Sequence, residues 1–255
     1  MGTVGAVRAA QAIIKSYGIK EPNEIDLEAI ALDRKILVND TDIEGSVARL
    51  QVKKQFGVIS VSTRIQERGR RRFAIAHELG HFELHRMKSQ AHICTEKDLL
   101  DWYKKEIDEN EANVFAAEML MPTEIFRRSC PRDVPSFELI RELAAMFNTS
   151  LTATAFRYVE KGYFPCALVA SVNGRVKWAV KSSDFNYRIK SIDTPIHKHS
   201  CAGASLEGEP LSTVPEAVDV DCWLDQPIED KSYKLYENSI YMPSYDTILS
   251  LLFID

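Results

Sequence analysis

Cysteine is sparse and shows no pattern. Five residues, Cys94, Cys130, Cys166, Cys201 and Cys222, are scattered over 255 positions with no CxxC spacing. An odd, dispersed set is not a disulfide framework and fits a reducing compartment. Long apolar runs are also missing. The stretch 1–17 lacks the apolar segment of roughly 7–15 residues that a signal peptide needs. The longest apolar run near the end, 248–254, falls far short of the ~20 residues that span a bilayer. A cytoplasmic protein without a membrane span is expected. Excess positive charge is absent too: 32 Lys and Arg stand against 37 Asp and Glu, a net −5. That excludes a strongly basic nucleic-acid coat protein. No internal repeat or low-complexity tract is present. What remains is ordinary globular composition, 45% hydrophobic and 27% charged, enough for a buried core in one large domain or two modest ones.

The texture changes along the chain. Val7, Ala10, Ile13, Ile14 and Tyr17 follow a helical period that Gly18 can end. A short helix is expected over 26–32, capped by Asn23 or Asp26. Three short β-branched segments, 36–39, 47–53 and 58–63, predict a small antiparallel sheet. Helices are expected over 70–85, 100–120, 136–147 and 151–161. The second stops at Met121-Pro122, because the residue before proline disfavours helical geometry. After Gly162 strands are expected at 167–172, 176–181 and 187–192, with Asn173-Gly174 as a hairpin turn between the first two. A loop over 203–215 precedes further strands. Residues 163–255 hold 8 Lys and Arg and 13 Asp and Glu, so the whole net −5 lies there and 1–162 is neutral. A domain boundary is therefore placed near Gly162.

The chemistry is concentrated at His77-Glu78-Leu79-Gly80-His81. Within a helix, positions i and i+4 share a face, so both imidazoles can reach one zinc ion. Glu78 lies a residue further round, able to take a proton from a metal-activated water without binding the metal. With 6 His and 21 Glu in the chain, chance supplies about 0.01 such matches. Phe73, Ala74, Ile75, Ala76, Leu79, Phe82 and Leu84 surround the motif, the mark of a buried helix whose histidines need partners. His85 continues the same ladder, but one straight helix cannot wrap three such side chains round one ion. It is expected behind the ligands or at the surface. The third ligand is sought on the next helix. Glu109 shares a face with Asn113, Ala116 and Leu120 and is preferred, with Asn113 orienting a ligand. Glu111 shares a stripe with Lys104 and Glu118 that looks solvated, and it is the alternative.

These residues carry a resemblance. The run 71–85, RRFAIAHELGHFELH, followed by Glu109, Asn113, Phe115, Ala116, Ala117, Met119, Leu120, Met121 and Pro122, resembles the two-part motif of the ImmA/IrrE metallo-endopeptidases over about residues 47–121. The resemblance implies one catalytic zinc on His77, His81 and Glu109, with Glu78 as general base. It implies a specific protein substrate, a helix-turn-helix repressor whose cleavage relieves repression of stress-response or mobile-element genes. The implied architecture is α+β: a zincin-like metallopeptidase domain over 1–130 with a small three-stranded antiparallel sheet, a helix-turn-helix-like segment over 131–162, and a mainly β regulatory-type domain over 163–255. That last part is similar to the GAF-like region of some relatives, which would take an unknown ligand. The competing class is a non-catalytic regulator that sequesters a repressor or binds DNA.

Residues 132–162 are net neutral, which disfavours direct DNA binding. In the basic run 68–72, Arg72 is a substrate-contact candidate by resemblance, against a solvated helix entry. Strand 58–63, with Ile59 and Val61, is the expected edge for pairing an extended substrate. His92 and Tyr103 are alternative candidates for stabilising an oxyanion. His197, His199 and Cys201 would share one face of a strand, but an ordinary surface segment is the simpler reading.

Overall fold

The helical period at the start of the chain produces α1 (Thr3–Ser16), which buries Ala6, Ala10, Ile13 and Ile14. It ends at Gly18, whose φ of 65° lies in the left-handed region that glycine tolerates. The structure is a computed structural model describing residues 2–85, 91–94 (backbone), 107–225 and 233–255. Two units emerge: Met1–Phe126 with Ala144–Ser150, and Arg127–Leu143 with Leu151–Asp255. The α+β class expected from the sequence holds.

In the first unit, Asp26 caps α2 (Leu27–Asp33), its side chain accepting the Ala29 N–H at 3.0 Å. The sheet contains β1 (Ile36–Thr41), β2 (Ala48–Lys53), β3 (Phe56–Ser62) and β4 (Ala91–Cys94), in the order β1-β3-β2-β4. It differs from the expected antiparallel trio in two ways. β3 inserts between β1 and β2, so it pairs antiparallel with β2 but parallel with β1. β4 adds a fourth strand, antiparallel to β2. β3 alternates, with Ile59 and Val61 fully buried and facing the core while Val58 and Ser60 are only partly covered.

Helix α3 (Arg68–His85) packs against β2 and β3 and against α4 (Ile107–Leu120), and α1 packs on α4. Residues 100–106, the expected start of α4, lie outside the described residues. Phe82 and Phe115 are fully buried, each contributing about 1.5–3 kcal/mol by leaving water. α5 (Thr123–Ser129) follows the Met121-Pro122 break. Next come α6 (Phe137–Phe147) and α7 (Leu151–Lys161), separated by Asn148 in the left-handed region at φ 50°.

The second unit is built on an antiparallel sheet of β5 (Cys166–Val172), β6 (Arg175–Lys181), β7 (Glu216–Val218), β8 (Leu235–Met242) and β9 (Thr247–Ile254), ordered β6-β5-β9-β8-β7. Asn173 and Gly174 both have positive φ, 51° and 70°, as the tight hairpin between β5 and β6 requires. The strand expected at 187–192 does not form: Ile189 makes one isolated bridge, to Leu224. Tyr187 and Ile189 pack on the core without a ladder, while Ile192 is exposed. The segment expected as loop from 203 begins inside helix α8 (Cys201–Leu206), capped by Ser200, whose hydroxyl accepts the Gly203 N–H. One buried carboxylate organises this unit: Glu237 accepts from the Cys201 and Ala202 N–H groups, Trp223 Nε1 and Ser239 Oγ at 2.7–2.9 Å. Among the described residues no helix is long and apolar enough to cross a membrane.

The close approach of α3 to α4 depends on Gly80. A Cβ there would lie 3.0 Å from Phe115 Cδ1 and 3.2 Å from Ala112 Cα. Gly80→Val should therefore lower unfolding stability by about 1–3 kcal/mol, measured by urea denaturation. Gly80→Ala should cost less, because alanine gains up to ~1 kcal/mol in helix propensity. An unchanged midpoint in the valine variant would show that the helices can part there freely.

Candidate metal centre

The two motif histidines sit one turn apart on α3 and are buried, His77 completely. Their imidazoles meet edge to face, centroids 4.7 Å apart and planes at 79°. The two Nε2 atoms are 3.1 Å apart. Glu109, on the first turns of α4, completes a triangle: its carboxylate oxygens lie 3.3 Å from His77 Nε2 and 3.2 Å from His81 Nε2. Burial works against ionisation of Glu109, but the two imidazoles facing it outweigh this and hold it well below the usual carboxylate range.

Three electron-pair donors this close demand positive charge between them. A single proton bridges one pair of the three; a metal ion engages all three. The 3.1 Å between the two Nε2 atoms, and the 3.2–3.3 Å from each to one or other oxygen of Glu109, are close to the roughly 3.3 Å separating ligands on a tetrahedral ion with bonds of about 2.0–2.1 Å. His77 is also prepared for this. Its Nδ1 is 2.9 Å from Asn113 Oδ1; with the proton on Nδ1 and the amide oxygen accepting, the Nε2 lone pair is left for the centre. Glu78 is fully buried on the same helix, between the two histidines in sequence.

A second group lies beside the first. His85, Asp108 and Glu111 also present ligand-type atoms within 4.8 Å of one another. His85 is buried, its Nδ1 3.2 Å from His81 Nδ1 and its Nε2 2.9 Å from Glu111 Oε2. Glu111 and Glu118, expected on a solvated stripe, are each only 1% exposed. The reason is α1, which covers that side of α4. Glu111 Oε1 accepts the Gly2 N–H. Glu118 accepts from Gln11 at 2.9 Å and from the Thr123 N–H and hydroxyl at 3.0 and 2.8 Å. Burial opposes ionisation of Glu111, but the hydrogen bonds with His85 and Gly2 prevail and bring it down to about 2. The ladder 77, 81, 85 was the available sign that His85 belongs to the site.

The remaining candidates are not gathered there. Ile59 and Val61 cannot present a free edge, because β3 is paired on both sides; the outer strands are β1 and β4. Arg72 is turned onto its own chain, donating from both terminal nitrogens to the Ile25 carbonyl at 3.2 Å. Arg71 is bound by Asp40 and Glu28. His92 pairs its backbone with Leu50 in β4; its side chain, and all of Tyr103, lie outside the described residues. His197 and His199 sit in a turn rather than a strand. His197 Nδ1 lies 3.4 Å from Cys222 Sγ, while Cys201 Sγ faces Glu216, so the three do not converge on one point.

Residues 31–158, half of the chain, match the sequence model of the IrrE N-terminal-like domain, peptidase M78. The chain is 26% identical over 161 residues to metallopeptidase ImmA of Bacillus subtilis strain 168, covering 63% of this chain and 88% of that protein. A Mycobacterium tuberculosis transcriptional regulator shares the fold, with a TM-score of 0.63 over 98% of this chain and 75% of that one, at 16% identity.

If the triangle is the metal centre, Glu109→Ala should abolish metal retention. Elemental analysis after dialysis is expected to fall from about one ion per chain to near zero, with the helical circular-dichroism signature kept. Full metal content in this variant would remove Glu109 from the ligand set.

Proposed function

The chain belongs to the IrrE N-terminal-like (peptidase M78) family, a family whose metallopeptidase character implies a metal ion, and from this we propose that it is a zinc-dependent endopeptidase acting on a specific protein substrate. The observation that carries the reading is the grouping of buried His77 and His81 with half-buried Glu109, with Glu78 buried on the same helix. Two imidazoles and one carboxylate are the donor set of a catalytic rather than a closed structural zinc site. A zinc ion held there would supply Lewis acidity, acidifying water and polarising a carbonyl. Glu78 accepts the proton of the attacking water as its oxygen bonds to the peptide carbonyl carbon. The same carboxyl then returns that proton to the amide nitrogen as the C–N bond breaks. Asn113 keeps His77 in the tautomer that leaves Nε2 available.

An extended substrate would pair its backbone with an outer strand of the first sheet. β4 is favoured because it follows the motif helix directly and packs on it. The substrate class we favour is a helix-turn-helix repressor in the cytoplasm, cleaved to release stress-response or mobile-element genes. The acidic residues 163–255 would direct or gate that cleavage. Direct DNA binding is disfavoured by the neutrality of 132–162.

Glu78→Gln separates a protease from a regulator acting by sequestration. The variant should keep its metal and lose at least about 10³-fold in cleavage rate, reflecting loss of both base and acid, with the repressor intact on gels and its promoter silent. Full derepression by metal-loaded Glu78→Gln with uncut repressor would establish the non-catalytic reading instead.

A further inference from the structure

We propose that His85 and Glu111 form a hydrogen-bond relay that fixes the His81 imidazole with its Nε2 lone pair toward the metal centre. The inference rests on reading His77, His81 and Glu109 as that centre. It follows from proton placement. The Nδ1 atoms of His81 and His85 face each other at 3.2 Å, so the hydrogen bond between them carries one proton. If His81 is to offer Nε2 to a metal, its Nδ1 must hold that proton and His85 Nδ1 must accept it. Neutral His85 then carries its own proton on Nε2, where Glu111 Oε2 lies 2.9 Å away as acceptor. Asp108 Oδ1, at 3.5 Å from the same nitrogen, adds a second negative group. Glu111 is held from the other side by the Gly2 N–H on Oε1.

The opposite placement closes the centre to a metal. With the shared proton on His85, His81 would carry its proton on Nε2, pointing it at His77 Nε2 and Glu109. His85 would then need a further proton or a cation between its Nε2 and the carboxylates of Glu111 and Asp108. The shared proton therefore permits one of the two His–carboxylate groups to bind metal, not both, unless an imidazole becomes an anion. His77, His81 and Glu109 have the tighter triangle and the Asn113 support, so His85, Asp108 and Glu111 take the supporting role. Each histidine ligand then has its far nitrogen satisfied, His77 by Asn113 and His81 by His85 and Glu111. Such outer partners raise ligand basicity and fix ring orientation. His85 and Glu111 are positioning residues.

The test measures metal affinity of the full chain by zinc competition with a chromophoric chelator, alongside unfolding of the metal-free protein. His85→Leu should weaken zinc binding by about 10–100-fold. His85→Gln should stay within about threefold of wild type, because its amide oxygen can accept from His81 and its amide N–H can donate to Glu111. A packing role alone would lower the metal-free unfolding midpoint in both variants and leave affinity untouched, which would overturn the relay. Equal loss of affinity in the two variants would overturn it as well. His81→Ala distinguishes the underlying reading. If it loses zinc while His85→Leu binds as wild type, the relay falls and the centre stands. If His81→Ala keeps zinc and His85→Leu loses it, the metal belongs to the neighbouring group and the centre itself is misassigned.

Discussion

Two buried imidazole nitrogens 3.1 Å apart, each within 3.3 Å of an oxygen of the half-buried Glu109 carboxylate, repel as lone-pair donors unless positive charge lies among them. The rest of the first unit is arranged so that this crowding is productive. The two Nε2 atoms can converge only if the two Nδ1 atoms are engaged elsewhere, and they are, by Asn113 and by His85. Those partners come from different turns of the same two helices. Along α3, His77 faces Asn113 and Glu109 on α4, His81 faces Glu109, and His85 faces Glu111 and Asp108. The centre is therefore a property of the seam between α3 and α4. The HExxH motif supplies one side of it, and Gly80 lets the other side come close.

The same seam explains why α1 belongs to the site although it contributes no candidate ligand. Burying a carboxylate is costly unless its oxygens find donors. α4 carries Glu111 and Glu118 into the interior, and α1 meets both, through Gly2 and Gln11. The second unit meets the same demand differently, surrounding Glu237 with two backbone N–H groups, an indole and a hydroxyl. In both units a buried acid draws donors from segments distant in sequence, and so fixes how those segments lie.

This is also where sequence reasoning reached its limit. Local signals were legible: the i, i+4 histidines, the apolar flank of α3, the Asp26 cap, Gly18, and the paired positive φ at Asn173 and Gly174. The inward face of Glu109 followed from its small and apolar neighbours on α4. Glu111 and Glu118 looked solvated because what buries them is supplied by α1, about a hundred positions away. β4 went unseen because it is four residues long and pairs with residues 48–51, far back in the chain. Segment 187–192 has strand-like composition, but composition does not provide a ladder partner.

In the basic run 68–72, where Arg72 was a substrate-contact candidate by resemblance, Arg71 is bound by Glu28 and Asp40 and Arg72 by the Ile25 carbonyl. Those arginines tie the start of α3 to α2, β1 and the segment before α2, which sets the height of the motif helix against the sheet. Two of the run's charges are thus committed to the position of the histidines. Under the proposed function those two arginines are not available to a substrate, and selectivity would draw on side-chain fit along an outer strand or on the acidic second unit, because backbone pairing alone reads little sequence.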